Sequence, residues 1–553
     1  MLRTLPPVAR RFLVFMLVAA LSLFGVCRAD EIRDLQTAAM KQGVASWGSW
    51  GPNPNKYSTW KNHSNRLTPI YTFGITLDGM KDGASVYRNA ERLREIYGRL
   101  PEGTLNPDAR YLDQTDVYRL QQRAVEAGKK YVVLVIFDGM DWQTTWAAAI
   151  YKSNKVAYRE GRGTGLHIQD YRGVKTDYGY LVSSPHNAGT KANVDSQTIT
   201  NPGGTTLGGF DASKANPVPW LQPHDPVYLL GKNRVRPHAV TDSASSATSM
   251  TSGLKTYNAA INVDPLGRQV VPIARDLQRI QGWSVGIVTN VPISHATPAS
   301  AYANNVHRGD YQDLTRDLVG LKSVSHPASP LPGVDVLLGC GWGNHRAPDA
   351  IQGANYVAGN RFLSKDDLAK IDTRNGGAYE LALRTPKQNG REVLQQAAER
   401  TAEKQKRLFG FFGVPSGHLP FQTADGDYDP TFDYKKRERY SAADIEENPT
   451  LADMTQAALT VLETNKKGFW LMVEAGDVDW ANHANNIDNS IGAVLSGDDA
   501  FRTVTRWVDK KKFWDETVVI VTSDHGHYFE LYEPERIAAG KRDDASQREK
   551  PDR

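Results

Sequence analysis

Short apolar runs alternate with stretches of helical periodicity along most of this chain. Five of the runs occupy residues 131–137, 283–289, 334–339, 468–473 and 517–522, and the first of them is mostly β-branched. Continuous runs of this length are typical of strands that are buried on both faces. Helical patterns occupy residues 85–98, 115–128, 390–408 and 448–465. The alternation predicts an α/β fold, in which helices sandwich a large, central, mostly parallel sheet.

The same pattern divides the chain along its length. Residues 30–130 are predicted to be a mainly helical region, and residues 131–540 are predicted to be the α/β domain. Within this domain, residues 161–237 are rich in Gly, Asn, Pro and Ser and only weakly periodic, which predicts a loop-rich insertion. Residues 541–553 form an almost wholly polar tail that is expected to fray.

The first 29 residues have the composition of an export signal. Basic residues precede an apolar run at residues 12–26, which is short for a membrane span, and small residues follow it. We therefore expect a signal peptide that is cleaved after Ala29, and a periplasmic or secreted protein. A lipid anchor at Cys27 is the alternative, which the bulk of Val26 disfavours. Later segments are not apolar enough to suggest a stable membrane span.

Net charge bears on the kind of partner to expect, and the cysteine count bears on the source of stability. The leader contains four arginines and no acidic residue, so its removal reduces the 66 basic residues to 62, equal to the 62 acidic ones. A neutral mature chain gives no electrostatic reason to expect a nucleic-acid partner. Cleavage also leaves Cys340 as the one cysteine, which excludes an internal disulfide. Stability must therefore come from a large core or from bound metals.

Acidic and histidine side chains gather where three of the predicted strands end. They are Asp138, Glu474, Asp479, His483, Asp524, His525 and His527. In parallel sheets, ligands bind beyond the carboxyl ends of the strands. Asp479 and His483 would share one face of a helix, and carboxylates with imidazoles suit zinc and magnesium better than copper or iron–sulfur clusters. The sequence therefore indicates a metal site, with acids that only cap helices as the alternative.

A nucleophile candidate, Ser243, lies in the segment Thr-Asp-Ser-Ala at residues 241–244. Small residues follow as far as Gly253, as expected for a helix that packs closely on its neighbours. Ser243 would begin this helix, where unpaired backbone N–H groups favour an anion. No histidine adjoins it in the sequence, so it needs another activator, and a metal ion would serve. The alternative is that Asp242 or Ser243 is simply a helix cap.

Five motifs in collinear order resemble those of the alkaline phosphatase family. They are Asp-Gly-Met at 138–140, Thr-Asp-Ser-Ala at 241–244 with Lys-Thr-Tyr-Asn at 255–258, His-Ala-Thr-Pro-Ala at 295–299, the acidic segment at 473–483, and Asp-His at 524–525. The resemblance does not reach the first hundred residues after the leader or the insertion. It implies an alkaline-phosphatase-like sheet and a site for phosphoryl transfer.

The resemblance implies roles for two residues in the reaction. Ser243 would be the nucleophile that becomes a phosphoserine, which water then hydrolyses. Arg308, eleven residues after Thr297 as in the family, would hold two phosphoryl oxygens with its planar fork. Four further side chains would surround the ligands, with His527 orienting them: Asp242, His295, Trp480 and His527.

The resemblance also implies three metal sites. The ligands of the first zinc would be Asp138, Asp524, His525 and, as a labile ligand, Ser243. Those of the second zinc would be Asp479 and His483. Those of a third metal, usually magnesium, would be Asp138, Thr297 and Glu474.

Two residues depart from the family pattern around these sites. His295 stands where many bacterial members have an aspartate, and Trp480 where they often have a lysine. An imidazole should weaken magnesium binding at the third site and tolerate zinc or cobalt there. Trp480 removes one positive charge near the phosphate, and its alternative interpretation is a buried core aromatic.

The second zinc presents a larger departure. In the family, this ion also binds a histidine from a His-Thr-Gly segment well beyond the Asp-His motif. Here the 28 residues that follow His525 contain no such segment, and His527 is their one histidine. We predict that a histidine outside the matched motifs, with His186 as the first choice, completes the set. The alternative is that water fills the position, since two protein ligands fall short of the usual three.

The function implied by the resemblance is hydrolysis of small phosphate monoesters by an exported enzyme with two zinc ions and one magnesium ion. The resemblance is compatible with a homodimer but does not fix the oligomeric state. A phosphodiesterase or a sulfatase with the same metal core is the first alternative, although Ser243 and Arg308 favour monoesters. The second alternative is a protein that binds metal and phosphate without turnover.

Overall fold

The computed structural model describes residues 31–202, 204–232, 235–431 and 438–539. The expected signal peptide, with the alternative lipid site at Cys27, and the polar tail lie outside the described residues. Among the helices that the structure describes, none combines the length and the apolar composition needed to cross a membrane.

Ten of the described strands form one sheet, and we number them β1–β10 in chain order. Their bounds are Thr68–Phe73, Leu112–Asp113, Tyr131–Phe137, Thr176–Val182, Ser284–Pro292, Val336–Cys340, Tyr379–Leu383, Arg407–Phe412, Phe469–Ala475 and Thr517–Thr522. Across the sheet the order is β7-β8-β6-β5-β9-β3-β10-β1-β4-β2. Neighbouring strands are parallel except at β1, which is antiparallel to both β10 and β4. The predicted α/β fold with a mostly parallel sheet is therefore confirmed.

The five apolar runs form β3, β5, β6, β9 and β10, and the predicted bounds agree with the observed ones within three residues. Strand β3 shows why these runs are continuous. Its odd-numbered residues belong to the apolar cluster on one face of the sheet, and its even-numbered residues from Val132 to Ile136 belong to the cluster on the other face. A strand with two buried faces has no position for a polar side chain.

Helices cover both faces of the sheet, and we number the eleven that build the core and the site α1–α11. Their bounds are Glu31–Gln42, Ala90–Tyr97, Gln114–Glu126, Trp142–Ser153, Ser243–Ser252, Ala296–Ser300, Tyr311–Val319, Gly390–Lys404, Leu451–Leu462, Asp477–His483 and Ile487–Lys511. The cluster on one face takes side chains from α4, α8, α9 and α11, and the cluster on the other takes them from α3, α5, α6 and α7. Shorter helices occupy His167–Asp170, Ala212–Ala215, Pro226–Leu229, Ile273–Asp276, Lys365–Ile371, Ala442–Glu446 and Pro534–Ala539.

The description of residues 30–130 as mainly helical needs a correction. The described part contains α1, α2 and α3, but it also contributes β1 and β2 to the main sheet. Residues 161–237 likewise contribute β4, so this stretch is not only loops. Strand β1 has no local signal because it is half polar and pairs with β10, more than 400 residues away in sequence. The boundaries of the proposed domain and insertion stay predictions.

Candidate metal and phosphate site

Four neighbouring strands, β5, β9, β3 and β10, end at one edge of the sheet. Because all four are parallel, the residues that follow them meet at this edge. These residues are His295 and Thr297 after β5, Asp479 and His483 in α10 after β9, Asp138 after β3, and Asp524 and His525 after β10. Glu474 is the penultimate residue of β9, and Ser243 is the first residue of α5.

We call Asp138, Ser243, Asp524 and His525 the serine centre. The Oγ of Ser243 lies 3.1 Å from Nε2 of His525 and 3.4 Å from Oδ1 of Asp138. Nε2 of His525 lies 3.1 Å from Oδ1 of Asp138 and 3.5 Å from Oδ2 of Asp524. All four side chains are buried. Their polar atoms converge on one small volume, as the ligands of a single cation would.

The backbone orients the acids of the serine centre. The N–H groups of Gly139 and His525 both donate to Oδ1 of Asp524, at 3.0 Å. Oδ2 of Asp524 and Oδ2 of Asp138 are buried, and no donor in the described part of the chain satisfies them, which fits a bound cation. Position 139 requires glycine, because φ is 72° and a Cβ would lie 2.9 Å from the ring of His527.

We call His63, Asp479, His483 and His527 the histidine centre. Oδ1 of Asp479 lies 2.8 Å from Nε2 of His527, 3.4 Å from Nε2 of His483 and 3.5 Å from Nε2 of His63. Nε2 of His63 and Nε2 of His483 are 3.1 Å apart. The histidine centre adjoins the serine centre, since Nε2 of His525 is 3.8 Å from Oδ1 of Asp479. Two such groups side by side suit a two-metal site, in which the ions lie about 3.5–4 Å apart.

Burial and close neighbours shift the pKa values of the acids in the site. Burial raises the pKa of Asp138 well above its ordinary value, and the charges of Asp524, Asp479 and Glu474 raise it further. The pKa of Asp479 is lowered instead, because the imidazoles of the histidine centre outweigh the effect of its burial. Bound cations would stabilise the ionised form of every one of these carboxyl groups.

The predicted third metal site lies around Glu474. The hydroxyl of Thr289 donates a hydrogen bond to its Oε2. Burial raises the pKa of Glu474 to about 8, against the opposing effects of Thr289 and of Thr297 in α6. His295 is the residue before α6, and burial lowers its pKa to about 3, with a further contribution from the charge of Arg308. A neutral imidazole therefore stands beside this site.

Asp242, Ser243 and Arg308 lie together on the side of the site that the sequence predicts to bind phosphate. Asp242 is the N-cap of α5, and its Oδ1 accepts a hydrogen bond from the N–H of Ser245 at 3.1 Å. Its Oδ2 accepts from Nη1 of Arg308 at 3.1 Å and from the N–H of Ala259 at 3.0 Å. Although burial raises the pKa of Asp242, these partners lower it below its ordinary value. The guanidinium is thus fixed beside the amino end of the helix that begins with Ser243.

A cavity of about 1250 Å³ adjoins the site. Its wall includes residues 344–350 as well as Trp480 and Ala481 of α10, the helix that carries two of the predicted metal ligands. The ring of Trp480 lies 5.8 Å from that of His295 and 5.2 Å from that of His418. Trp480 is therefore half-buried between the site and open space, and it is not a core aromatic.

His63 is the site residue that sequence reasoning missed, and His186 is not part of either centre. Nε2 of His186 lies 3.4 Å from Nη1 of Arg99, and its Nδ1 bonds to the side chain of Asn187. His63 reaches the site because β1 is antiparallel, so its amino end lies where its neighbours have their carboxyl ends. The sequence offers no clear signal for His63, because the strand that follows it, β1, is half polar.

Comparisons with known proteins show which family and which relatives this chain resembles. A family model described as "Alkaline phosphatase" matches residues 221–548. Alkaline phosphatase 4 of Bacillus subtilis (strain 168) is 28% identical over 70% of this chain and 66% of its own length. Alkaline phosphatase H of Pseudomonas aeruginosa (strain UCBPP-PA14) is 30% identical over 57% of this chain and 63% of its own length. The chain thus spans a little under two thirds of these curated relatives.

Among solved structures, the alkaline phosphatase of Thermus thermophilus is similar to this chain with a TM-score of 0.42 and 22% identity. The match covers 72% of this chain and 60% of that chain.

Proposed function

The chain belongs to the alkaline phosphatase family, and we propose that it hydrolyses phosphate monoesters through a phosphoserine on Ser243. The observation that carries the proposal is the position of Ser243 Oγ, 3.1 Å from Nε2 of His525 and 3.4 Å from Oδ1 of Asp138. Both neighbours belong to a group that fits a cation, and a cation held there would activate the hydroxyl of Ser243 for attack.

The donor sets support zinc at both centres, because they combine carboxylates with imidazoles. Zinc would lower the pKa of the Ser243 hydroxyl and stabilise the charge on the leaving oxygen. For Asp138, Thr297 and Glu474 we propose magnesium, with zinc or cobalt as substitutes because His295 stands beside them.

The residues of the chain divide the reaction into two displacements. Oγ of Ser243 forms a bond to phosphorus while the ester bond breaks, and the alcohol departs with a proton. Water then attacks the phosphoserine, which restores the hydroxyl and releases inorganic phosphate. Arg308 binds two phosphoryl oxygens, and the N–H groups at the start of α5 add positive potential at the same place.

We further propose that the enzyme is exported to the periplasm or secreted, as its leader indicates. Its substrates would be small monoesters whose alcohol part faces the cavity beside Trp480. Ser243 and the fork of Arg308 support a monoester, which presents more free phosphoryl oxygens than a diester does.

The first test replaces the nucleophile. Ser243→Ala should abolish the release of nitrophenol from 4-nitrophenyl phosphate and leave the fold and most of the bound zinc unchanged. Ser249→Ala is the matched control, since Ser249 is a buried serine of the same helix that donates to the carbonyl of Ser245 at 2.9 Å. Labelled phosphate trapped at acidic pH on any residue other than Ser243 would refute the assignment.

Substrate choice separates the alternatives. With zinc bound, the wild-type protein should hydrolyse 4-nitrophenyl phosphate faster than bis(4-nitrophenyl) phosphate, and both rates should fall without zinc. Faster hydrolysis of the diester would indicate a phosphodiesterase. Zinc binding with no turnover of either compound would indicate a binding protein.

A further inference from the structure

His63 lies outside the five motifs that resemble those of alkaline phosphatases, yet its ring is in the histidine centre. We propose that His63 is the third protein ligand of the ion bound by Asp479 and His483. The inference deepens the proposed function and rests on it for the identity of the ion, zinc. Its test counts bound ions and does not measure turnover, so the inference about His63 and the proposed function can fail separately.

The first argument comes from the ring nitrogens of His63 and His483. Nδ1 of His63 lies 2.9 Å from the carbonyl oxygen of Thr241, and Nδ1 of His483 lies 2.7 Å from that of Lys61. Because a carbonyl only accepts, each Nδ1 carries the proton, and each Nε2 of a neutral ring bears a lone pair. These Nε2 atoms face each other at 3.1 Å, where two lone pairs repel.

A cation between the two rings removes this repulsion. Tetrahedral zinc with bonds of about 2.0–2.1 Å holds two nitrogen ligands roughly 3.3 Å apart. The observed separation of 3.1 Å is close to this value. The carbonyl partners also fix each ring with Nε2 toward the centre, as hydrogen bonds behind metal-binding histidines do.

The second argument is that the segment around His63 is held firmly in place. Residues His63–Ser64 pair with Gly526–His527, and the hydroxyl of Ser64 donates to the carbonyl of His527 at 3.0 Å. The ring of His63 stacks on that of His525 with centroids 3.7 Å apart. Its side chain is only 12% exposed. The imidazole is therefore positioned before an ion arrives, which lowers the entropy cost of binding it.

The third argument concerns the number of ligands. Three protein ligands and one open position are typical of catalytic zinc, whereas four close the site. Nε2 of His527 lies 2.8 Å from Oδ1 of Asp479, a hydrogen-bond distance that suits an orienting partner of the acid. With His63 as the third ligand and His527 behind Asp479, the ion keeps a position open for substrate.

The test measures zinc in the purified full chain at limiting free zinc. His63→Ala and His63→Asn should each lose one zinc per chain, with an affinity at least about tenfold lower for the second zinc. His63→Asn keeps a donor that can reach Thr241, so it separates loss of the ligand from loss of the local fold. His186→Ala is the matched control and should bind as much zinc as the wild type.

Two further readouts make the outcome decisive. With cobalt in place of zinc, the visible spectrum of the ion should change in both His63 variants and not in His186→Ala. In chelator, His63→Asn and the wild type should unfold at similar temperatures, and added zinc should stabilise the wild type more. The proposal would be overturned if His63→Asn bound as much zinc as the wild type, or if zinc stabilised both proteins equally. The short distance between the rings of His63 and His483 would then reflect a shared proton.

Discussion

One carboxylate, that of Asp242, couples the helix of the proposed nucleophile to Arg308, the arginine that we propose binds phosphate. Oδ1 caps α5 through Ser245, and Oδ2 accepts from Arg308. Because the cap and the ion pair share one side chain, the position of the guanidinium relative to Ser243 is fixed before substrate binds. Donors that are already oriented need no reorganisation in the transition state, which is where they are most effective.

Arg308→Ala should therefore weaken phosphate binding and not metal binding. A bond from a charged donor contributes about 1.5–3 kcal/mol, so the inhibition constant of inorganic phosphate should rise roughly 10- to 150-fold. Arg268→Ala, at an exposed arginine whose Nε lies 2.6 Å from Oδ2 of Asp264, is the control. Inhibition constants that are equal in both variants would contradict the role of Arg308.

Asp310 gives the stability a pH dependence. Burial and the charge of Asp313 together raise its pKa to about 8, although Asn305, which donates to its Oδ2 at 2.8 Å, opposes the rise. The pKa in the folded chain thus lies above the unfolded value near 4, so the folded chain retains a proton that the unfolded chain releases. The contribution of Asp310 to the free energy of unfolding is therefore fully present below about pH 4, and it is lost as the pH rises toward about 8.

Asp310→Asn should remove this dependence. Between pH 5 and pH 7, the free energy of unfolding of the wild type should fall relative to the variant by up to about 1.4 kcal/mol per pH unit. Urea unfolding at several pH values measures the difference. Asp499→Asn, at a largely exposed carboxyl, should run parallel to the wild type. A parallel course for Asp310→Asn would show that Asp310 titrates normally.

At the scale of elements, a buried polar network joins α3 and α5 to the loop after β10. Nε2 of Gln114 donates to the carbonyl of Asp524 at 2.6 Å and also bonds to Oγ of Ser246. Nζ of Lys255 lies 2.9 Å from Oδ2 of Asp113 and 3.3 Å from Oε1 of Gln114. All of these side chains are buried. The packing of two helices thus sets the position of a proposed metal ligand.

Lys255→Met should destabilise the protein by about 3–5 kcal/mol, because it leaves the carboxylate of Asp113 buried without its cation. The double variant Lys255→Met/Asp113→Asn should regain part of the loss, since asparagine can still cap α3 at Thr115. Urea unfolding at pH 7 measures both. Lys130→Met, at an exposed pair with Glu516, should change little. No recovery in the double variant would argue against an unpaired charge as the cause.

Some strands could be predicted from the sequence and others could not. The difference is whether a strand's place follows from its own residues or from a partner strand far away in the chain. Strands β3 and β10 follow from their own apolar runs, and the acids after them, Asp138 and Asp524, lie together as the parallel arrangement requires. Strand β1 is half polar and takes its place from a partner more than 400 residues away. His63 could not be assigned for the same reason, because its position depends on the direction of β1.

On the scale of the whole molecule, the two centres connect segments that are far apart along the chain. The serine centre joins the ends of β3 and β10 to α5, and the histidine centre joins α10 to the segment before β1. The five segments extend from His63 to His527. A cation at either centre therefore acts as a cross-link that closes long loops, which favours the folded chain over the unfolded one.

Removal of metal should accordingly lower the stability of the whole molecule and not only its activity. An ion present at 100 times its dissociation constant adds about 2.7 kcal/mol for each site it occupies only in the folded state. Its loss also leaves Oδ2 of Asp138 and of Asp524 buried without a donor in the described part of the chain. A chelator should therefore lower the Tm, and added zinc should restore it. Asp524→Asn, which removes one proposed ligand, should show a smaller change in Tm than the wild type does. An identical Tm with and without chelator in the wild type would contradict the proposal that metal stabilises the fold.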